Sequence, residues 1–283
     1  MRMRRPLFRG HVHSTWQKMK RFLPFVKSDP LVAVVRLQGA IAAGARGTLS
    51  DQGIAPLIAR AFKKGNPQAV ALVINSPGGS PVQSSLIAAR IRRLSEEKEI
   101  PVYAFVEDVA ASGGYWLASA ADEIWIDPAS VVGSIGVISA SFGAHEFLDR
   151  YGLERRVYTA GKSKSMLDPF KPENPEDIER LKAILEHLHE VFKSQIATRR
   201  GAKLPEGRDL FTGEIWVGET AIQVGLADGI GHVVPKMKEM FGDKVRFQVY
   251  GQKKPLLQRL GAQIIGDGMT ALEERALYAR YGL

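Results

Sequence analysis

The stretch AVALVINSPGGSPVQSSLIAARIRRL, residues 69–94, decides the architecture of this 283-residue chain. Its first six residues are all apolar, the pattern of a strand buried on both faces in a parallel sheet. From Val82 onward, Leu86, Ile87, Ile91 and Leu94 recur at helical spacing, with Ser80 placed to cap and Pro81 at the first helical position. Asn75 to Ser80 is then a strand-to-helix turn with free backbone N–H groups. A strand, a glycine-rich turn and a helix in immediate succession predict a layered α/β fold.

The same pattern extends in both directions. Upstream, LVAVVRLQG (31–39) reads as a strand and IAPLIARAFKKG (54–65) as a helix stopped by Gly65. Downstream, PVYAFVED (101–108) is a strand, AASGGYWLASAA (110–121) a second turn and helix, and DEIWID (122–127) a short strand. SVVGSIGVIS (130–139) is an apolar run broken by Gly133 and Gly136, and HEFLDRYG (145–152) a short helix. ERRVYTAG (154–161) reads as a strand leading into the loop KSKSMLDPFKPENP (162–175). Residues 175–200 form the longest helix, with Ile178, Leu181, Leu185, Leu188, Phe192 and Ile196 on one face. The expected organisation is a basic N-terminal tail (1–30), a core (31–240) and a C-terminal extension (241–283).

Composition excludes several functions. With no cysteine, thiol nucleophiles, disulfides and thiolate metal sites are all absent. The net charge of +9 is concentrated in residues 1–27, which hold eight basic residues and no acid, leaving 31 basic against 30 acidic residues elsewhere. The body is nearly neutral, so no nucleic-acid partner is expected. The patch FLPFV (22–26) is too short for a signal peptide and is interrupted by Pro24, and no stretch reaches the roughly 18 apolar residues of a membrane span. Trp16, Met19, Leu23 and Val26 recur among basic residues at near-helical spacing, which would suit peripheral contact of residues 1–27 with an anionic bilayer. The bland fates of such a tail are disorder or docking on a neighbouring subunit. The expected location is cytoplasmic, peripheral to the inner face of the membrane.

The second turn raises the chemical question, because Ser112 stands at a strand end before two glycines. The ordinary reading is a helix-capping serine in a glycine turn. The chemical reading is a nucleophile, with the N–H groups of Gly78, Gly79 and Gly113 available to one oxyanion. A nucleophile needs a base, and the histidines suit that role poorly. His11 and His13 lie in the tail, His187 and His189 are two apart on a helix and face different directions, and His145 and His232 stand alone. None shows metal-ligand spacing, so neither metal nor cofactor is expected. A desolvated lysine can accept a serine proton, and Ser-Lys pairs are a variant of the serine-protease arrangement. Lys162 and Lys164 lie in an acid-free stretch from Arg155 to Leu167, and the residues alone leave the choice between them open.

Five blocks in order, VINSPGGS (73–80), AASGGYW (110–116), VGSIGVI (132–138), AGKSKSMLDPF (160–170) and GEIWVGETAIQVGLADGIG (213–231), resemble the signal peptide peptidase A family of serine peptidases over about residues 31–235. The resemblance implies an α/β crotonase-like (ClpP/crotonase) fold of repeated ββα units with flanking helices. It implies Ser112 as nucleophile, Lys164 as general base with Lys162 as the fallback register, and Ser134 as a hydrogen-bond partner of the lysine amine. Gly79 and Gly113 would form the oxyanion hole, with Gly78 shaping the turn. It further implies peptide substrates, notably signal-peptide remnants or other apolar peptides, and a homo-oligomeric ring with sites at subunit interfaces. Many members carry an N-terminal transmembrane anchor; here a basic tail stands in that place. Two other readings are a crotonase-type acyl-CoA enzyme, for which Glu107 and Asp108 are the nearest acids, and a catalytically inactive membrane-associated scaffold.

Overall fold

A computed structural model describes residues 29–44, 48–251 and 275–283. The basic tail of residues 1–27 lies outside the described residues, as does the part of the C-terminal extension from 252 to 274.

Among the described residues, three strands carry the centre of an eight-stranded sheet, β1 (Leu31–Gln38), β2 (Ala69–Ser76) and β3 (Val102–Ala111), and β8 (Arg246–Tyr250) forms one edge. The path of neighbours runs β6-β5-β3-β2-β1-β8, with β5 spanning Val131–Gly133 and β6 Ile215–Val217. A branch leaves β3 through β4 (Glu123–Ile126) to β7 (Gly229–Ile230). All these pairings are parallel except β5 with β6. Every residue of β2 but Asn75 is buried, as its continuous apolar run requires of a central parallel strand. The segment beyond residue 240 thus contributes β8 to the sheet, in register with β1 from Leu31↔Arg246 to Val35↔Tyr250.

The helices are α1 (Asp51–Lys63), α2 (Pro81–Lys98), α3 (Gly113–Ala118), α4 (His145–Arg150), α5 (Pro175–Arg200), α6 (Glu219–Gln223) and α7 (Val233–Phe241). Three start on caps of the expected kind. Ser50 accepts from Gly53 N–H, Ser80 accepts from Gln83 N–H, and Asn174 accepts from Glu176 N–H. One face of the sheet packs Ala33, Val35, Leu72, Ile74 and Val106 against Ile54, Ile58 and Phe62 of α1 and Ile87 and Ile91 of α2. The other packs Val32, Val34, Val73 and Phe105 against Met237 of α7. Each fully buried side chain of this kind contributes roughly 1.5–3 kcal/mol, so the sheet and its strand ends are rigidly placed.

β3 changes partners along its length. Tyr103–Val106 pairs with β4, whereas Val109–Ala111 pairs with β5. Between those halves the register with β2 jumps from Ile74↔Val106 to Ser76↔Ala110, an irregularity that re-aims the strand end. The expected strand at 154–161 does not form. An isolated strand has no ladder to satisfy its backbone, and this stretch meets no neighbouring strand. The long helix forms as expected, but only Phe192, Ile196 and Arg200 of it are buried.

Candidate active site

The carboxyl ends of β2 and β3 bring the two glycine turns together. Ser112 follows β3 and precedes α3, with φ 51° and ψ −122°. This is left-handed backbone that a non-glycine residue holds at a cost of roughly 1–3 kcal/mol. Ser112 stands where a cap would, yet its side chain caps nothing. The turn is fixed through its backbone: Ser112 N–H donates to Gly133 O (2.8 Å) and Trp116 N–H donates to Ser112 O (3.0 Å). Gly218 takes the same turn, φ 49° and ψ −125°, before α6. Where only the bend is needed the chain places glycine, and at residue 112 it keeps a strained hydroxyl.

Gly78 seats the first turn against the second. A Cβ on Gly78 would stand 2.7 Å from Ala111 O and Gly113 N and 2.9 Å from Ser112 Cβ. Ser76 holds the turn, its hydroxyl donating to Gly39 O (2.8 Å) and accepting from Gly78 N–H (3.2 Å). Gly79 lies so near that a Cβ on Gly113 would be 3.3 Å from the Gly79 nitrogen. Among the described residues neither the Gly79 nor the Gly113 amide donates to a protein acceptor. Two unengaged N–H groups side by side next to a serine hydroxyl make a site for developing negative charge on oxygen. Ser134, one residue beyond the Gly133 carbonyl that holds Ser112, is partly buried, and its N–H donates to Glu214 O (2.8 Å).

Lys162 and Lys164 are both exposed, and no hydrogen bond joins either side chain to Ser112 or Ser134. They belong to an arm, residues 137–173, whose polar bonds close on the arm itself. Ala144 N–H donates to Pro169 O (2.6 Å), Arg155 pairs with Asp168, and the Arg155 guanidinium lies 4.9 Å from the centre of the Phe170 ring. No hydrogen bond, ion pair or ring contact among the described residues ties this arm to the rest of the chain. The structure thus brings Ser112, Gly78, Gly79, Gly113 and Ser134 together and leaves the lysines outside that cluster.

Glu107, Asp108, His189 and His232 have structural partners. Arg36 donates to both Glu107 carboxylate oxygens (2.7 and 2.9 Å), and Asn75 donates to Asp108 (2.5 Å). His189 meets Ile135 O (3.2 Å), and His232 pairs with Asp127 (2.8 Å) on the surface. Among the described residues no cluster of His, Asp and Glu could hold a metal ion.

Two features were not read from the sequence. One is a buried network under α3: Arg200 donates to Asp228 (2.6 Å) and Gly225 O, Ile124 N–H donates to Asp228 (2.7 Å), and the Tyr115 phenol donates to Leu226 O (2.9 Å). Burial pushes the Tyr115 phenol well up. Burial also raises the Asp228 carboxyl, but Arg200, Lys203 and the Ile124 amide outweigh it and hold the group below the ordinary carboxylate range. The network anchors α3, the helix that follows Ser112. The other is Tyr281, whose phenol oxygen lies 3.4 Å from both Pro77 O and Ser134 Oγ, so that it donates to the carbonyl while the Ser134 hydroxyl donates to it. Its signal, two tyrosines three residues apart in ALYARYGL, has no local meaning.

A strained, uncapped serine at a strand end, beside two unengaged amides on a mainly parallel α/β sheet, is an arrangement suited to nucleophilic attack on a carbonyl. The model of peptidase family S49 matches residues 95–244, more than half of the chain. This chain belongs to that family, the signal peptide peptidase A-type serine peptidases. It is 31% identical to the chloroplastic serine protease SPPA of Arabidopsis thaliana, over 71% of this chain and 30% of that protein. It is 32% identical to the probable protease SohB of Haemophilus influenzae, over 69% of this chain and 54% of that one. It is also 48% identical to a Brucella melitensis protein named Na(+)/H(+) antiporter NhaA, over 94% of this chain. The chain spans only 39% of that relative, whose name describes a much longer protein. No helix among the described residues is long and apolar enough to cross a membrane.

Proposed function

We propose that this serine protease hydrolyses peptide bonds through Ser112 and a lysine supplied by a neighbouring subunit. The observation that carries the reading is the strained Ser112, whose hydroxyl does no capping work. Ser112 Oγ attacks the scissile carbonyl carbon while its proton passes to the neutral amine of Lys164. The carbonyl oxygen takes the electron pair and is met by the Gly79 and Gly113 amides. Collapse breaks the C–N bond, the lysine returns the proton to the leaving amine, and water hydrolyses the acyl ester by the same base. Ser134 holds the lysine amine through a hydrogen bond.

The arm supports assembly of the site between subunits. It carries Ile138, Phe142, Phe147, Tyr151, Leu153 and Tyr158, all exposed. Apolar side chains concentrated in this way mark an interaction surface, and a closed ring joins different faces of neighbouring copies. Substrates are signal-peptide remnants or other apolar peptides, met at a membrane surface to which the basic residues 1–27 bring the enzyme.

Two experiments test this. A fluorophosphonate should label the protein and fail to label Ser112→Ala; labelling that survives the substitution removes Ser112 as nucleophile. Unfolded Ser112→Ala and Lys164→Ala chains, mixed and refolded, should regain about a quarter of the sites by random placement round a ring. Mixed rings no more active than either parent would place the dyad within one chain, and the same mixture made with Lys162→Ala distinguishes the two lysines.

A further inference from the structure

One helix is keyed to both Ser112 and Ser134. α5 lies against α3 through Phe192, whose ring stacks on Trp116 with centroids 4.8 Å apart and planes 16° from parallel. Two bonds fix its register at the end of α3: Gln195 donates to Ser119 Oγ (3.4 Å), and Arg199 donates to Ser119 O (3.0 Å). Because α3 starts immediately after Ser112, α5 holds a set position relative to the nucleophile. His189 stands three residues before Phe192, on the same side of the helix, and its Nε2 lies 3.2 Å from Ile135 O. A carbonyl only accepts, so Nε2 carries the proton and donates.

The segment that His189 holds is one whose backbone needs holding. Ser134 has φ 52°, left-handed backbone that a non-glycine residue keeps only where its surroundings impose it. Ser134 N–H donates to Glu214 O (2.8 Å), the Ile135 side chain is buried in the same core as Phe192, and the Ile135 carbonyl accepts from His189. At Gly136 the chain still lies against the body, where a Cβ would stand 3.3 Å from Gly213 Cα, and from residue 137 the arm departs. The Glu214 bond ties Ser134 to the loop before β6, whereas the His189 bond ties its segment to the helix keyed to α3. We infer that His189 is a positioning residue of the protease. Through Ile135 O it fixes the Ser134 backbone, and so the point at which the Ser134 hydroxyl meets the lysine amine, relative to Ser112. This inference rests on the roles proposed above for Ser112, Ser134 and the lysine. Imidazole suits the task because its ring carries the donor at a fixed reach, where a longer flexible side chain would lose more rotamer freedom.

The test uses the full chain with residue 189 substituted, each variant first checked by thermal melting. His189→Phe keeps a ring and loses the donor, so kcat for a short apolar peptide should fall about three- to fivefold at unchanged KM, the loss of one hydrogen bond. His189→Gln places an amide N–H at the reach of Nε2 and should return kcat to within about twofold of the parent. His189→Asn, whose amide stops short of Ile135 O, should be as slow as His189→Phe and replaces it if the phenylalanine variant does not fold. His189→Phe added to Ser134→Ala should slow the enzyme no further, because both act on one contact. A kcat unchanged in His189→Phe, equal losses in the phenylalanine and glutamine variants, or losses that multiply with Ser134→Ala would each overturn the positioning role. A raised KM at constant kcat would overturn it too, by moving His189 to substrate binding. The underlying reading fails separately: fluorophosphonate labelling of Ser112→Ala at the parent rate removes the nucleophile, and an unchanged rate in Ser134→Ala removes Ser134, and with it the route by which His189 acts.

Discussion

The sheet body and the arm of residues 137–173 place side chains of similar size on opposite terms. In the body Leu72 and Ile74 are fully buried, and Ser112 hangs on a strand whose register is set on both sides. In the arm Phe142 is 68% exposed and Tyr158 90% exposed, and the polar contacts fold back on the arm. The body can therefore sustain strain, since packing over-determines the Ser112 backbone. Nothing within the chain imposes a comparable position on the arm. A serine and its base must meet within about 3 Å, so on the reading proposed above the second half of the site takes its geometry from a partner.

The largest effect should come from giving the body what its backbone prefers. Ser112→Gly should lower kcat/KM by about 10⁴-fold or more, the loss expected when a nucleophile is removed. The same change relieves a positive φ and should raise stability by about 1 kcal/mol, after the extra backbone entropy of glycine is subtracted. Hydrolysis assays and denaturant melts measure the two; a destabilised glycine variant would show that residue 112 is not strained.

In the arm the reverse is expected. Phe142→Asp with Tyr158→Asp should cost about a hundredfold or more in activity and reduce the assembly seen by sedimentation. Unfolding of the chain itself should shift by no more than about 0.5 kcal/mol per site, as for exposed positions. Retained activity in a dissociated chain would erase the distinction between the two regions.

The body's own dependence on pairing is read at Asp228. Asp228→Asn leaves Arg200 buried with a weakened partner and should cost about 3 kcal/mol of folding stability. Because the folded carboxyl is held below its ordinary range, its stabilising contribution is complete above the unfolded value of about 3.9 and is lost as pH falls through the lower folded value. Below about pH 4 the stability of the parent should therefore fall more steeply than that of the variant; parallel acid melts would assign the acid sensitivity elsewhere. The smallest effect is expected where body meets arm. Ser134→Ala should slow hydrolysis about fivefold without unfolding the protein, the worth of one hydrogen bond of about 1 kcal/mol, and an unchanged rate would remove Ser134 from the site.

Much of this was legible from local pattern. The apolar run at 69–74, Ser80 with Pro81, and the glycines at 78, 79 and 113 each carry their meaning within a few residues, and the strands, caps and turns form accordingly. The stretch 154–161 has strand-like composition but no strand to pair with, so composition misled there. Two serines show how far local reading reaches. Ser80 and Ser112 both precede a helix after a buried strand, and both look like caps. Ser80 caps, while Ser112 is held by the Gly133 carbonyl from another strand in a conformation where its side chain cannot.

What the sequence by itself determined is the order of strands and helices, the two glycine turns and the residue types available for chemistry, because periodicity, capping and φ preference act between near neighbours. Only the tertiary structure decided which of those residues meet. The contact of Gly78 with Ser112 joins two separate strand ends, Ser134 reaches Ser112 through β5, and Tyr281 arrives beside both from the far end of the chain. Such meetings are set by the sheet's strand order and by the burial that holds it, and no stretch of chain encodes them alone.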